Sequence, residues 1–188
     1  MHLLYFKTPT GNRLGIQTPT GIIDVDAYCR ANNAPEFGLD PVTNDDLAEL
    51  QRIAQSEGYA FRFPTDSVDR TSCVQRPHKI ICIGLNYRKH AVESGMAVPT
   101  IPVVFTKYDN TLCHYGEEIP LGAVGEQFDY EVELGVVIGE RCKNVSKEEA
   151  LSKVLGYCVA NDLSCRDLQF RSSQWLMGKS LDKFSPLG

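Results

Sequence analysis

Phe128-Asp-Tyr-Glu-Val-Glu-Leu-Gly-Val-Val-Ile-Gly139 alternates polar and apolar residues at its start and then turns apolar. A pleat of period two puts Glu131 and Glu133 on one face of a strand and Tyr130, Val132 and Leu134 on the other. Two readings fit. In one, the tyrosine, valine and leucine face a core while the glutamates face water, as in any half-exposed strand. In the other, the two carboxylates are held together to bind a cation. Neighbouring anions are unfavourable unless they are solvated, share a proton or meet a positive charge, and hard oxygen ligands suit Mg2+, Mn2+ or Ca2+.

Flanking segments offer partners for the second reading. Lys79-Ile-Ile-Cys-Ile83 reads as a compact strand of the buried kind and runs through Gly84 into the helical pattern Leu85-Asn-Tyr-Arg-Lys-His-Ala-Val-Glu93. His90 and Glu93 are three apart and share a helix face. A carboxylate beside an imidazole raises its basicity and orients it, as a general base needs, although the same spacing also decorates exposed helices. Val103-Val-Phe-Thr-Lys107 is a further strand candidate. Tyr157-Cys-Val-Ala-Asn-Asp162 reads as a short buried strand ending in an acid, with Arg166 and Gln169 four and seven positions on. Asp162 either caps the next helix or joins Glu131 and Glu133, in which case three carboxylates supply half an octahedral shell. Lys179 lies in the final run, on a loop or strand.

Before residue 79 the pattern is different. Leu3–Lys7, Arg13–Thr18 and Ile22–Asp24 are β-prone runs separated by two Thr-Pro-Thr-Gly turns, which predicts a small meander. Asp45 to Glu57 carries Leu47, Leu50, Ile53 and Ala54 at helical spacing, with Thr43 and Asn44 as capping candidates and Gly58 as the stop. A polar connector over 59–77 places a boundary near 70, giving a small domain at 1–70 and a larger one at 71–188. Ser146-Lys-Glu-Glu149 matches a capping box and predicts a helix carrying Ala150, Leu151, Val154 and Leu155, closed by Gly156.

The 188 residues are 43% apolar and 23% charged with a formal charge of -5, a globular composition that argues against nucleic acid or an anionic membrane as partner. Seven widely spaced cysteines without a C-x-x-C pair fit reduced thiols and a cytoplasmic location rather than a zinc cluster. Neither a membrane-length apolar run nor a signal-peptide core is present, and no phosphate-binding glycine loop or G-x-S-x-G elbow occurs.

Four blocks, Gly84-Leu-Asn-Tyr-Arg-Lys-His-Ala, Asp129-Tyr-Glu-Val-Glu-Leu-Gly-Val-Val-Ile-Gly, Gly156-Tyr-Cys-Val-Ala-Asn-Asp-Leu-Ser-Cys-Arg-Asp-Leu-Gln and Gly178-Lys-Ser-Leu-Asp-Lys-Phe-Ser-Pro-Leu-Gly, resemble the fumarylacetoacetate hydrolase (FAH) superfamily in order and separation. The resemblance, closest to small bacterial-type acylpyruvases and 2-hydroxyhepta-2,4-diene-1,7-dioate isomerases, implies a mixed α+β, mostly β fold. Its parts are an FAH-like rolled mixed sheet at 71–188 and a small N-terminal meander plus helix. It also implies that Glu131, Glu133 and Asp162 hold one divalent cation, Mg2+ or else Mn2+ or Ca2+. His90 and Glu93 match a water-activating lid pair, Lys179 matches a residue that stabilises an enolate, and Arg166, Gln169 and Tyr87 are the candidate substrate-binding residues. Three reactions on a 2-oxo or enol dicarboxylic acid share this chemistry: C–C hydrolysis of an acylpyruvate, decarboxylation of an oxaloacetate-like acid, and enol–keto isomerisation of an intermediate of aromatic compound catabolism. A homodimer is the usual state among look-alikes. Relatives continue past Ser-Pro-Leu-Gly with further strands, so the sheet is expected to be incomplete, with apolar surface exposed and strong association. Alternatives of another class are a shortened, inert binding or assembly module, and a structural protein that binds Ca2+ without turnover.

Overall fold

The tetrapeptide Thr-Pro-Thr-Gly occurs twice and folds the same way both times. In the computed structural model, which describes residues 1–39, 41–56 and 59–188, the Thr8 hydroxyl donates to Gly11 O at 2.7 Å and the Thr18 hydroxyl to Gly21 O at 2.8 Å. Both glycines take the positive φ that such turns demand, 124° and 133°. The turns join β1 (His2–Thr8), β2 (Gly11–Thr18) and β3 (Gly21–Asp24), and β4 (Arg62–Phe63) completes a four-stranded antiparallel sheet in the order β1-β2-β3-β4.

Two helices cover one face of this sheet. Asp24 caps α1 (Val25–Ala31), which the apolar spacing did not announce: its Oδ1 accepts from Ala27 N at 2.9 Å, and its Oδ2 pairs with Arg13 at 2.9 Å. In α2 (Leu47–Ala54), Leu50 and Ile53 are fully buried against Leu14, Ile16, Ile23 and Val25. Thr43 caps the 3-10 turn Asn44–Asp46 that leads into α2, donating to the Asp46 carboxylate through its amide and hydroxyl, whereas Asn44 reaches away to Glu140 and to Ser152 O. The expected stop at Gly58 lies outside the described residues.

After the connector come β5 (Ile80–Gly84), α3 (Arg88–Glu93), β6 (Val103–Lys107), β7 (Leu112–Cys113), β8 (Phe128–Asp129), β9 (Val132–Ile138), β10 (Val154–Asn161), β11 (Ser164–Cys165), α4 (Arg166–Gln169), α5 (Leu176–Lys179) and β12 (Ser185–Pro186). The pairs β5–β6, β9–β10 and β8–β11 are antiparallel, and β7–β12 is parallel. The fold is mixed α+β and mostly strand, as expected.

Several local expectations are corrected. The quoted stretch breaks at Tyr130–Glu131 into β8 and β9, because Glu131 turns to pair across to residues 161 and 162. Its faces are also the reverse of the half-exposed reading. Val132 and Leu134 are 67% and 64% exposed, while Glu133, Gly135 and Val137 lie half-buried. β5 likewise alternates instead of being buried on both faces, with Ile81 and Ile83 exposed. The Ser146–Glu149 capping-box bonds form, but only one 3-10 turn, Ala150–Lys153, follows. Lys153 O is committed to Gly139 N at 2.9 Å, and Val154 pairs with Ile138, so the sheet ladder takes the residues the helix would have used. Gly156 therefore sits inside β10, beside a bulge, and is not a cap.

The accessible surface is 12,198 Å², against about 9,000 Å² for a compact 20.9 kDa protein. Part of the difference lies on the outer faces of β5, β6, β9 and β10, where Ile81, Val104, Leu134 and Val159 are exposed. Among the described residues no helix is long and apolar enough to cross a membrane.

The two halves of the chain should therefore answer differently to truncation. Leu50→Ala empties a fully buried site and should cost about 2–5 kcal/mol in urea unfolding followed by circular dichroism. Leu151→Ala removes a 74% exposed side chain on the Ala150–Lys153 turn, away from the apolar strand faces, and should stay within about 0.5 kcal/mol.

Candidate active site

Backbone pairing brings the acids together. Asp162 N donates to Glu131 O at 2.9 Å, and the Asn161 side-chain oxygen accepts from Glu131 N at 3.1 Å, so Glu131 and Asp162 stand across from one another at the break between β8 and β9. Glu133 lies one strand step further, opposite Ala160.

Steric constraints deliver the cations. A Cβ on Gly178 would fall 2.4 Å from both Cys165 O and Gln169 N, so only glycine lets α5 approach α4 this closely. A Cβ on Gly84 would fall 2.3 Å from the Trp175 ring, which packs edge-on against Phe105 at 5.4 Å. α5 is thereby fixed with the Lys179 ammonium 5.2 Å from the Phe105 ring centre.

What converges is a network of charges. Lys179 Nζ bridges Glu131 Oε2 at 2.9 Å and Asp162 Oδ2 at 2.8 Å. Lys107 Nζ donates to Asp162 Oδ1 at 2.7 Å and to two carbonyls, Leu163 O at 3.2 Å and Phe184 O at 2.6 Å. Arg166 joins Asp129 Oδ2 at 2.7 Å, Glu131 Oε1, and Gln169 Oε1 at 2.9 Å. Asn86 donates to Glu133 Oε2 at 2.8 Å. Both lysines are almost wholly inaccessible, at 3% and 2% exposure.

The environments separate these groups. Burial acts to raise the Asp162 carboxyl, but the two ammonium groups outweigh it and hold Asp162 below its ordinary value. Glu133 goes the other way. Burial pushes it up; the Asn86 hydrogen bond opposes this, and the nearby Glu131 and Asp162 charges add to the rise. Among the described residues Glu133 has no ion-pair partner, and no three His, Cys, Asp or Glu side chains close around a single point.

The structure thus draws together Glu131, Asp162, Arg166, Gln169 and Lys179, with Glu133 at the edge. It leaves Tyr87, His90 and Glu93 exposed at and along α3, and among the described residues no hydrogen bond or ion pair joins them to the carboxylates or His90 to Glu93. Lys179 is on a short helix, not on a loop or strand. Asp129, Asn86 and Lys107 were not singled out from sequence. Lys107 had a legible signal, since period two puts it on the same face of β6 as Val103 and Phe105, the half-buried face.

Residues 79–188 match the family described as fumarylacetoacetate (FAA) hydrolase C-terminal. The chain belongs to the fumarylacetoacetate hydrolase family. A fumarylacetoacetate hydrolase domain-containing protein 2 homolog of Dictyostelium discoideum is 54% identical over 114 residues, covering 60% of this chain and 37% of that protein. A provisionally assigned HpcE protein of Mycobacterium smegmatis superimposes with a TM-score of 0.82 at 32% identity, over 100% of this chain and 64% of that one. The maleylpyruvate hydrolase of Sphingobium sp. SYK-6, solved with manganese(II) and pyruvate, gives 0.73 at 26% identity, over 100% and 65%. The chain spans less than two thirds of each of these family members. Solved relatives include hydrolases and isomerases.

The raised Glu133 value carries a sign. The folded state holds this proton more tightly than the open chain does. The group's contribution to stability is therefore complete below the ordinary glutamate value and lost as pH rises through the raised one. With chelator present, Glu133→Gln keeps an acceptor for Asn86 and removes the charge. The variant should melt like the parent near pH 4 and above it at pH 7 by scanning fluorimetry. A difference that does not change with pH would remove Glu133 as its source.

Proposed function

We propose that this chain carries the divalent-cation site of a hydrolase or lyase acting on a 2-oxo or enol dicarboxylic acid, with Glu131, Glu133 and Asp162 as ligands and Mg2+ or Mn2+ as the ion. The observation that carries the reading is the charge balance. Asp129, Glu131, Glu133 and Asp162 face Lys107, Lys179 and Arg166, one positive charge short, and the unpaired acid is Glu133. Three of these acids supply hard oxygen donors of the kind Mg2+ and Mn2+ prefer, so the donor chemistry suits the ion, and binding would draw Glu133 in beside Glu131 and Asp162, since among the described residues the three do not close around one point. A relative solved with manganese(II) and pyruvate supports both the ion and the 2-oxo acid class.

When bound there, the ion supplies Lewis acidity toward a chelating 2-oxo acid. The chain's own groups do the rest. Arg166, positioned by Asp129 and Gln169, and Lys179 present cationic donors to substrate carboxylate and enolate oxygens. Gln169 and Tyr87 complete the substrate contacts. His90, backed by Glu93 one helical turn on, takes a proton from water. α3 begins two residues after Asn86, which already touches Glu133, so closing this short helix over the carboxylates would bring His90 into reach.

C–C hydrolysis of an acylpyruvate-type substrate and decarboxylation of an oxaloacetate-like one both use these parts. Enol–keto isomerisation is the second reading, favoured by solved relatives that carry isomerase names. The same proposal includes division into 1–70 and 71–188 and a homodimer, which the excess apolar surface supports.

Glu131→Gln and Asp162→Asn should weaken Mn2+ binding at least about 10-fold by calorimetry. His90→Ala should retain it and lose about 10²–10⁴-fold in turnover across a panel of acylpyruvates and oxaloacetate. Undiminished Mn2+ affinity in both carboxylate variants rejects the reading. Light scattering should return twice the chain mass, and a monomer at micromolar concentration would reject the dimer.

A further inference from the structure

The two buried lysines that flank Asp162 are not equivalent. A lysine ammonium has three N–H donors. Those of Lys107 meet three oxygens from two pieces of chain: Asp162 Oδ1 and Leu163 O on one, Phe184 O on the other. Two of the three are backbone carbonyls, held by a strand end and by the segment entering β12, so nothing that binds at the site can carry them away. Among the described residues Lys179 has only the two carboxylates, Glu131 and Asp162, for acceptors, and the aromatic face of Phe105 behind it. One ammonium is locked by the fold, and the other is held only by the groups a cation would take.

Asp162 divides between them. Its Oδ1 belongs to Lys107 and its Oδ2 to Lys179. A cation arriving at the acids competes with Lys179 for Oδ2 and for Glu131 Oε2, and leaves the Lys107 contact untouched.

We propose that Lys107 is a positioning residue for the cation site, holding Asp162 by Oδ1 so that Oδ2 is the oxygen exchanged between Lys179 and a divalent ion. This rests on the reading of Asp162 as a cation ligand. It gives the two lysines opposite effects on the same equilibrium. Lys107→Met releases an otherwise ordered carboxylate and should weaken metal binding. Lys179→Met removes a competitor and should tighten it. A purely coulombic role would make both losses of positive charge tighten binding, so the sign for Lys107 separates positioning from charge.

The test is Mn2+ titration of the full 188-residue chain by electron paramagnetic resonance, with folding checked by circular dichroism. Lys107→Met is expected to bind Mn2+ at least about 10-fold more weakly than the parent, and Lys107→Arg, which keeps a cationic donor, to recover most of the loss. Thr111→Val breaks the buried Thr111–Ser185 hydroxyl contact without touching Asp162, so it should melt lower and bind Mn2+ like the parent. Unchanged or tighter binding in Lys107→Met overturns the inference alone. A parent chain that binds no Mn2+, or an Asp162→Asn variant that binds it as well as the parent, overturns the functional reading and the inference together. Should Lys107→Met fail to fold, the parent answers by NMR of its lysine ammonium groups on addition of Mg2+. The Lys107 signal is expected to stay protected while that of Lys179 shifts, and loss of protection at Lys107 overturns the inference.

Discussion

Charges that have left water must find one another, and the second half of this chain is built on that requirement. Lys107 comes from β6, Asp162 from the end of β10, Glu131 from the break between β8 and β9, and Lys179 from α5. An ion moved into a dry interior costs several kcal/mol unless it is paired and hydrogen-bonded. Each of these elements is therefore held where it is by the positions of the other three. The apolar support is slight by comparison. The buried cluster near the site comprises Cys165, Leu168 and Phe184, whereas the N-terminal sheet and helices bury nine side chains in one cluster. The larger buried apolar cluster lies in the first seventy residues and the charge network in the remainder. The Asn44 contacts with Glu140 and Ser152 tie the two.

This division explains what could be read from the sequence. Turn residues, periodicity and local caps act over a few positions, so the meander, α2, β6 and the strand leading to Asp162 were legible, the last as a strand but not as a buried one, since Tyr157 and Val159 are exposed. The helix after Ser146 was not, although its capping box is real. The outcome there depends on Val154 finding Ile138 sixteen residues back, and no local pattern encodes that competition. The site divides in the same way. Glu131, Asp162, Arg166, Gln169 and Lys179 were recognisable as blocks and do meet. Lys107 was overlooked because lysine closing a strand ordinarily reaches solvent. Only the alternation Val103, Phe105, Lys107 hinted that this one points inward.

The orientation of β9 shows the limit of patterning more sharply. Alternation tells which residues share a face but not which face is inside. A rule that apolar faces turn inward would bury Val132, Leu134 and Val136, and here they are exposed while Glu133 is half-buried. The glutamate faces inward, where Asn86 donates to it and where Glu131 and Asp162 with their cationic partners fill the same side of the strand. Electrostatic matching has overruled hydrophobic sorting over one strand, and the apolar residues are turned outward as the consequence.

That consequence bears on assembly. Apolar strand faces left in water are unfavourable at about 25 cal/mol per Å². The surface in excess of a compact protein of this mass, about 3,000 Å² on one chain, is more than a standard interface takes from each partner. A chain that turns its charged groups inward leaves these apolar strand faces outward, so the charge network and the exposed apolar patch are two results of one strand orientation. Substitutions on the exposed face of β9 would then reach the site through Glu133, whose backbone they share, without touching a single carboxylate.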